Sequence, residues 1–219
     1  VEISKYLDAV MAELDKYNAG NLNDFEYWDA VASVREAYRA ATKLEFSGDK
    51  DSVSKAHIVE VFEAFAEKIE KGIEKAVEIG NGLVPTYFTH EAVDFEPVVD
   101  ENGEPVISHY GLQKAKVKAF KAVPLPYFLE GPARMMGYVD VDTARDMFDK
   151  VKKTDLYDKK LAMYKTSASI EGCSMENGRC RAFTPGWQER ENVFLHMEYK
   201  YILAMLKAGL YDEYYDTIT

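Results

Sequence analysis

The sequence predicts a mainly α-helical fold with one β-hairpin inserted into it. Three runs of apolar residues at helical spacing fill residues 2–80, and a segment rich in valine, tyrosine, phenylalanine and proline covers residues 83–127. Further helices and loops are predicted for residues 128–219. No internal repeat, low-complexity tract or separating linker interrupts the 219 residues, so they are expected to form one mostly helical domain or a fragment of one.

The first 80 residues predict three amphipathic helices in succession. The first runs from Glu2 to Tyr17 and is closed by Gly20, while the second is capped by Asp24 and ends before Ser47. The third ends at Gly80 and carries the longest apolar stripe, which consists of Ile58, Phe62, Phe65, Ile69, Ile73 and Val77. Such faces predict packing of helix on helix.

The middle of the chain predicts the β-hairpin. Leu83 to Val99 is rich in strand-forming residues, and the Asn102–Gly103 pair after it is typical of a tight hairpin turn. The prolines at 124 and 126 favour an extended backbone for the segment that follows.

The last third predicts helices separated by loops. A short helix from Phe128 to Met136 is expected to be interrupted near Pro132, and residues 156–170 fit both a helix and an extended loop. A long loop is predicted for residues 171–185. The remaining helices are expected over Val141 to Lys152, Glu189 to Ala208 and from Leu210 to Tyr215.

Composition excludes several classes of function. With 27 basic and 38 acidic residues the net charge is −11, which disfavours nucleic acid and anionic membrane surfaces as partners. No apolar run has the roughly 18 residues of a membrane span. Two cysteines are too few for a disulfide framework, so a reducing, cytoplasmic location is expected. The start at Val1, without an initiator methionine, indicates a processed chain or an excised piece of a longer one.

The candidate site lies near the carboxyl end. A helix beginning at Glu189 would place Glu189, Asn192 and His196 on one face, where they could border a cavity. Trp187 would present its indole beside that cavity, and a tryptophan next to a carboxylate is suited to a sugar. The plain structural alternative is that the acids at 189 and 191 favour the helix dipole and that His196 is an ordinary surface or core histidine.

Several motifs resemble segments of the inverting glycoside phosphorylases of the cellobiose phosphorylase type. The likeness is closest to long proteins described as cellobiose phosphorylase-like, and it covers residues 80–215 best. It is carried by Asn81 to Phe88, Pro124 to Pro132, Tyr157 to Lys165, Pro185 to Glu189, Phe194 to His196 and Ala208 to Tyr215.

The resemblance implies a piece of an (α/α)6 toroid that takes part in phosphorolysis of β-glucosides or oligosaccharides with inversion. Inorganic phosphate would be the co-substrate, with no other cofactor. By position, Glu189 matches a carboxylate that contacts the sugar and His196 matches a histidine that contacts phosphate. Trp187 and Asn192 are the other expected sugar contacts, and Glu171 is a further candidate carboxylate ahead of the cysteine loop.

The chain also departs from the family pattern. No residue here matches the general acid, and Glu191–Asn192 replaces a pair of glycines. About eight helices are predicted where a closed toroid has twelve, so the rest of a longer chain or a partner chain is expected to complete it. Hydrolysis on the same scaffold, with Glu189 or Glu191 as general base, and a non-catalytic glycan-binding or structural module are the alternatives.

The remaining polar residues predict no metal site. Cys173 and Cys180 lack the histidine spacing of a zinc site, and although they are close enough in sequence for a disulfide, two incidental thiols are expected. Arg179 and Arg181 could attract an anion, but arginines on a surface loop are usually solvated.

Overall fold

The computed structural model describes all residues from 1 to 219 and shows a mainly α-helical chain. It contains eight α-helices and two sheets of two strands each. The chain forms two compact units: the first comprises Val1–Lys71 and Ala92–Phe120, and the second comprises Gly72–Glu91 and Lys121–Thr219. The expectation of a single domain stays a prediction.

The three long amino-terminal helices are confirmed. They are α1 (Glu2–Asn18), α2 (Asp24–Thr42) and α3 (Lys55–Ile79). The cap of α2 is Asn23 and not the predicted Asp24, because the Asn23 side chain accepts from the Glu26 N–H while the Glu26 carboxylate accepts from the Asn23 N–H. This reciprocal pair satisfies two backbone donors at once.

The first unit buries few apolar side chains. Val10, Leu14 and Val61 are its fully buried aliphatic residues, and the rings of Tyr17 and Tyr27 pack with their centroids 4.7 Å apart. The α3 stripe is largely exposed, so the sequence predicted the helix correctly but not its burial. Helical periodicity defines an apolar face without specifying what covers it.

The inserted sheet pairs β1 (Phe88–Pro97) with β2 (Ala115–Pro124). The predicted turn at Asn102–Gly103 is confirmed, since Gly103 has a φ of +85° and its N–H donates to the Asp100 carbonyl. This turn lies within the segment between β1 and β2 and does not connect the two strands directly. A second turn follows, with Gly111 at a φ of +78° and its N–H bonded to the Ser108 carbonyl. Two tight turns therefore lie between β1 and β2.

The second unit contains the larger hydrophobic core and the carboxyl-terminal helices. Its core centres on Leu129, Met136, Leu156, Tyr201, Met205 and Leu210, all with no measurable exposure. Burial raises the pKa of the Tyr201 phenol well above its usual value, and the hydroxyl of Tyr201 has no hydrogen-bond partner. The helices are α4 (Glu130–Met136), α5 (Val141–Lys153), α6 (Arg179–Ala182), α7 (Leu195–Lys207) and α8 (Tyr211–Ile218).

Two predictions about these helices are wrong. Pro132 does not interrupt α4, because it lies in the first turn, where a helix needs no N–H donor. Helix α7 begins at Leu195 and not at Glu189. Ahead of it, Gly186, Gln188 and Glu191 all have positive φ values, which a right-handed helix excludes.

The ambiguous segment and the loop after it are also resolved. The former contains the short strand pair β3 (Tyr157–Asp158) and β4 (Met163–Tyr164), and no helix. The predicted long loop holds only a 3-10 turn at Met175–Asn177 and the four-residue helix α6. Across the whole chain, none of the helices combines the length and the apolar character that crossing a bilayer requires.

Within the first unit, His57 links α3 to α1. Its Nε2 lies 2.8 Å from an Asp8 carboxylate oxygen, and its Nδ1 lies 3.3 Å from Glu60. The hydrogen bond to Asp8 and, to a smaller extent, the hydrogen bond to Glu60 raise the pKa of His57 above its usual value.

We expect this pair of contacts to make stability depend on pH. The pKa of His57 is higher in the folded state than in the unfolded state. Its contribution to the free energy of unfolding is therefore complete below the unfolded-state pKa and disappears as the pH rises through the folded-state pKa. Melting temperature measured from acidic to mildly alkaline pH should fall more in this window for the native chain than for His57→Gln. Equal pH profiles for the two proteins would contradict the assignment.

Candidate functional site

The candidate site is the loop of residues 183–194, hereafter the Trp187 loop. Its anchor is Arg190, whose side chain is 4% exposed. One terminal nitrogen of its guanidinium donates to the carbonyls of Arg181 and Phe183 at 2.8 and 2.6 Å, and the other donates to the Glu171 carboxylate. A planar guanidinium has enough donors to hold these three acceptors together.

Backbone contacts fix the other side of the loop to the segment that follows β4. The Thr166 N–H donates to the Asn192 carbonyl at 2.8 Å, and the Thr166 hydroxyl donates to the Glu189 carbonyl at 3.1 Å. The Glu191 N–H donates to the Ser167 hydroxyl at 3.0 Å. Thr166 and Ser167 are both buried, so these bonds are sheltered from water.

Trp187 lies at the outer tip of the anchored loop. Its side chain is 57% exposed, and its ring centroid is 5.2 Å from that of Phe183. Its backbone is held by an N–H bond to the Thr184 carbonyl and by a bond from the Arg190 N–H to its own carbonyl. The indole is thus presented to solvent from a constrained backbone.

The Glu189 carboxylate is held at one oxygen and lacks a partner at the other. Its Oε1 accepts from Arg179, while its Oε2 is buried without a hydrogen bond. The Oε1 of Glu191 and the Nε of Arg190 are also buried without a hydrogen bond, although the two atoms form an ion pair at 3.7 Å. Buried polar atoms are normally satisfied, so this cluster retains unused hydrogen-bonding capacity.

The structure separates the three residues that were expected on one helix face. Glu189 and Asn192 belong to the Trp187 loop, whereas His196 lies in the first turn of α7. His196 is exposed, and its ring centroid lies 6.2 Å from that of Phe194. The expectation of a shared helical face is wrong because the helix starts six residues later than predicted.

The other predicted contact, Glu171, has a role that its sequence position did not indicate. Its carboxylate accepts from both Arg181 and Arg190, so it joins the start of the cysteine loop to the Trp187 loop. Arg190 itself was missed by sequence reasoning, which included it in the helix expected from Glu189 and assigned it no role. A buried arginine of this kind is identified by the carbonyls around it, and those are known only from the tertiary structure.

Two cavities lie outside the Trp187 loop. One of about 400 Å³ belongs to the first unit and is bordered by α1, α3 and residues 51–53. The other, of about 310 Å³, lies between α4 and α7 in the second unit. Neither is lined by Trp187, Glu189 or His196.

The structure shows no cluster of three or more histidine, cysteine, aspartate or glutamate side chains arranged for a metal ion. Cys173 and Cys180 are both free thiols and half-buried.

Comparisons with models of protein families and with curated proteins each found no match to this chain. The protein is a mainly α-helical chain of two compact units, and the second unit carries the anchored Trp187 loop.

Proposed function

We propose that this chain is the sugar-binding part of a carbohydrate-active protein, and that the Trp187 loop contacts the saccharide. The observation that carries the proposal is the exposure of the Trp187 indole on a loop that Arg190 holds from within. An exposed aromatic face suits the apolar face of a sugar ring, and a fixed backbone reduces the entropy lost on binding.

The reaction we propose is phosphorolysis of β-glucosides or oligosaccharides with inversion. Glu189 would accept hydrogen bonds from sugar hydroxyls through its unpartnered oxygen after a small rearrangement, while Asn192 contributes from the same loop. His196 would contact the phosphate from the start of α7. The general acid would come from sequence outside this chain, within an (α/α)6 toroid completed by the rest of a longer protein or by a partner chain in the cytoplasm.

A non-catalytic glycan-binding module is the second candidate. It is favoured by the engagement of the nearby carboxylates: Glu171 pairs with Arg181 and Arg190, and Glu189 pairs with Arg179. Carboxylates that balance arginines are well suited to holding a loop and less suited to activating water or phosphate. This arrangement also weakens the alternative of hydrolysis with Glu189 as general base.

Replacing Trp187 by alanine should weaken saccharide binding by the full chain. The two tryptophans provide a matched pair, because Trp28 in the first unit is 62% exposed and Trp187 is 57% exposed. With cellotetraose as the probe, titration followed by calorimetry should show binding that Trp28→Ala retains and that Trp187→Ala weakens by about fivefold or more, since ring stacking contributes about 1 kcal/mol or more.

Phosphate then separates the candidate functions. Product formation from cellotetraose that requires phosphate and is reduced in His196→Ala supports phosphorolysis, and product formation without phosphate indicates hydrolysis. Binding without any product supports the glycan-binding module. Absence of saccharide binding, or equal loss in both tryptophan variants, overturns the proposal.

A further inference from the structure

The cavity between α4 and α7 has a floor of small residues. Ala133 and Gly137 contribute from the α4 side and Ala204 contributes from α7. Because these side chains are short or absent, they leave a depression of about 310 Å³ at the helix crossing. This cavity is hereafter the α4–α7 groove, and its size falls at the lower end of small-molecule sites.

The walls of the α4–α7 groove are positively charged. Arg134, Lys200 and Lys207 line it, and no carboxylate does. Three neighbouring cations are a pronounced local excess of positive charge in a chain whose net charge is −11. Clefts lined by one sign of charge concentrate ligands of the opposite sign.

One carboxylate outside the lining balances part of this charge. Glu130 contacts Arg134 Nε at 2.6 Å and Lys200 Nζ at 3.5 Å. Burial acts to raise the pKa of Glu130, but the hydrogen bond from Arg134 and the charge of Lys200 outweigh it and lower that pKa overall. With Glu130 ionised, the groove and its immediate border carry a net charge of two positive units, which matches a doubly charged anion.

The two lysines on α7 are aligned along the helix. Lys200 and Lys207 are seven residues apart, so both lie on one side of α7. Lys207 has no acidic partner and lies in the last turn of the helix. Both lysines therefore line the groove, and Lys207 is available to a ligand.

An aromatic ring borders the same groove. Tyr138 follows α4, lines the cavity and is 91% exposed. Its backbone is held by an N–H bond of 2.9 Å to the Met135 carbonyl. An exposed ring next to a cationic pocket suits a ligand that has an anionic group and a ring.

From this combination we infer that the α4–α7 groove is a phosphate-binding site, which takes phosphate either free or as the monoester of a sugar. Arg134 would bind two of its oxygens in parallel, as a guanidinium fork does. Lys200 and Lys207 would provide point charges from the opposite wall, and Tyr138 would pack against the ring of a monoester.

The choice of phosphate as the anion rests on the proposed function, which requires phosphate as a co-substrate. Binding of an anion in the groove does not depend on sugar binding at the Trp187 loop. The inference assigns phosphate to residues on α4 and α7 that are separate from His196, which does not line the groove.

The test is a titration of the full chain with inorganic phosphate in the absence of saccharide. At constant ionic strength and about pH 8, where phosphate groups carry close to two charges, amide resonances of Gly137 and residues 200–207 should shift in a saturable manner. Lys207→Glu should weaken this binding about fivefold or more, because it reverses one of the lining charges.

Lys153→Glu is the matched control, since Lys153 is an exposed lysine in the last turn of α5 and makes the same change of charge. It should bind phosphate like the native chain. Glucose 1-phosphate forms the second arm of the titration. Equal affinity for both ligands identifies free phosphate as the occupant, whereas tighter binding of the ester that Tyr138→Ala reverses identifies the monoester.

Two results would overturn the inference: the absence of saturable shifts at the groove with either ligand, or equal weakening by Lys207→Glu and Lys153→Glu. Either can occur while cellotetraose still binds at the Trp187 loop, so failure of this inference is distinguishable from failure of the proposed function.

Discussion

Replacing Arg190 by methionine is expected to destabilise the second unit by about 3 kcal/mol, because buried acceptors lose a charged donor. The carbonyls of Arg181 and Phe183 each depend on this guanidinium. Methionine preserves much of the apolar volume, so the loss measures the hydrogen bonds more than the packing.

The measurement is urea unfolding followed by the fluorescence of Trp187, with Trp28→Phe as the background so that one tryptophan reports. Arg179→Met is the control, because Arg179 pairs with Glu189 but is 72% exposed. An exposed ion pair contributes less than about 1 kcal/mol. Similar losses in the two variants would show that Arg190 does not anchor the loop.

Arg190→Met should also weaken saccharide binding at concentrations of urea where the chain remains folded. Without Arg190, the Trp187 loop keeps its bonds to Thr166 and Ser167 but loses those to residues 171–183. The indole would then sample more conformations, and binding would carry a larger entropy cost. An Arg190→Met variant that binds cellotetraose with native affinity would contradict the positioning role of Arg190.

Replacing Gly80 by alanine is the second change with a large expected effect. A Cβ atom at Gly80 would overlap the backbone carbonyl of Leu83 and would lie 2.8 Å from the Cδ of Pro85. The Leu83 N–H donates to the Gly80 carbonyl, and Tyr127 donates its hydroxyl to the same carbonyl, so the backbone there is held from two sides. We expect a loss of about 2 to 3 kcal/mol, the usual range for forcing atoms into a packed site.

Gly72→Ala provides the control, because Gly72 lies inside α3 and Gly80 directly follows the end of that helix. A Cβ atom at Gly72 meets nothing within 4 Å, and alanine favours a helix interior by up to about 1 kcal/mol over glycine. Thermal unfolding should therefore show a lower melting temperature for Gly80→Ala and an equal or higher one for Gly72→Ala. A decrease of the same size in both would indicate that loss of helix flexibility, and not the contact with Leu83, is responsible.

The contrast between α3 and α7 shows which features local sequence could predict. For α3, apolar spacing and Gly80 indicated both the helix and its end. For α7, the same kind of spacing predicted a helix that begins at Glu189, because the residues between Glu189 and Leu195 have adequate helix propensity. The structure starts α7 at Leu195 because the backbone ahead of it is committed to the turns that Arg190 holds. Propensity is a weak prior where tertiary hydrogen bonds compete.

The candidate site was predicted in part. The sequence singled out Trp187 and Glu189 by residue type and position, and the structure places them on one loop, with Trp187 exposed. It did not indicate that Glu171 would pair with Arg190, a residue 19 positions away. Nor did it indicate the α4–α7 groove, because Arg134 and Lys200 are brought together only by the crossing of two helices.

By itself, the sequence determined the number and order of the main helices, the turn at Gly103 and the acidic charge of the chain. These are local properties, since each depends on spacing, on a few neighbouring residues or on composition. Only the tertiary structure decided which apolar faces are covered, where α7 begins and which charges meet across helices. Those outcomes depend on contacts between residues distant in sequence, such as Arg190 with Glu171. The free energies of such contacts exceed the local secondary-structure preferences.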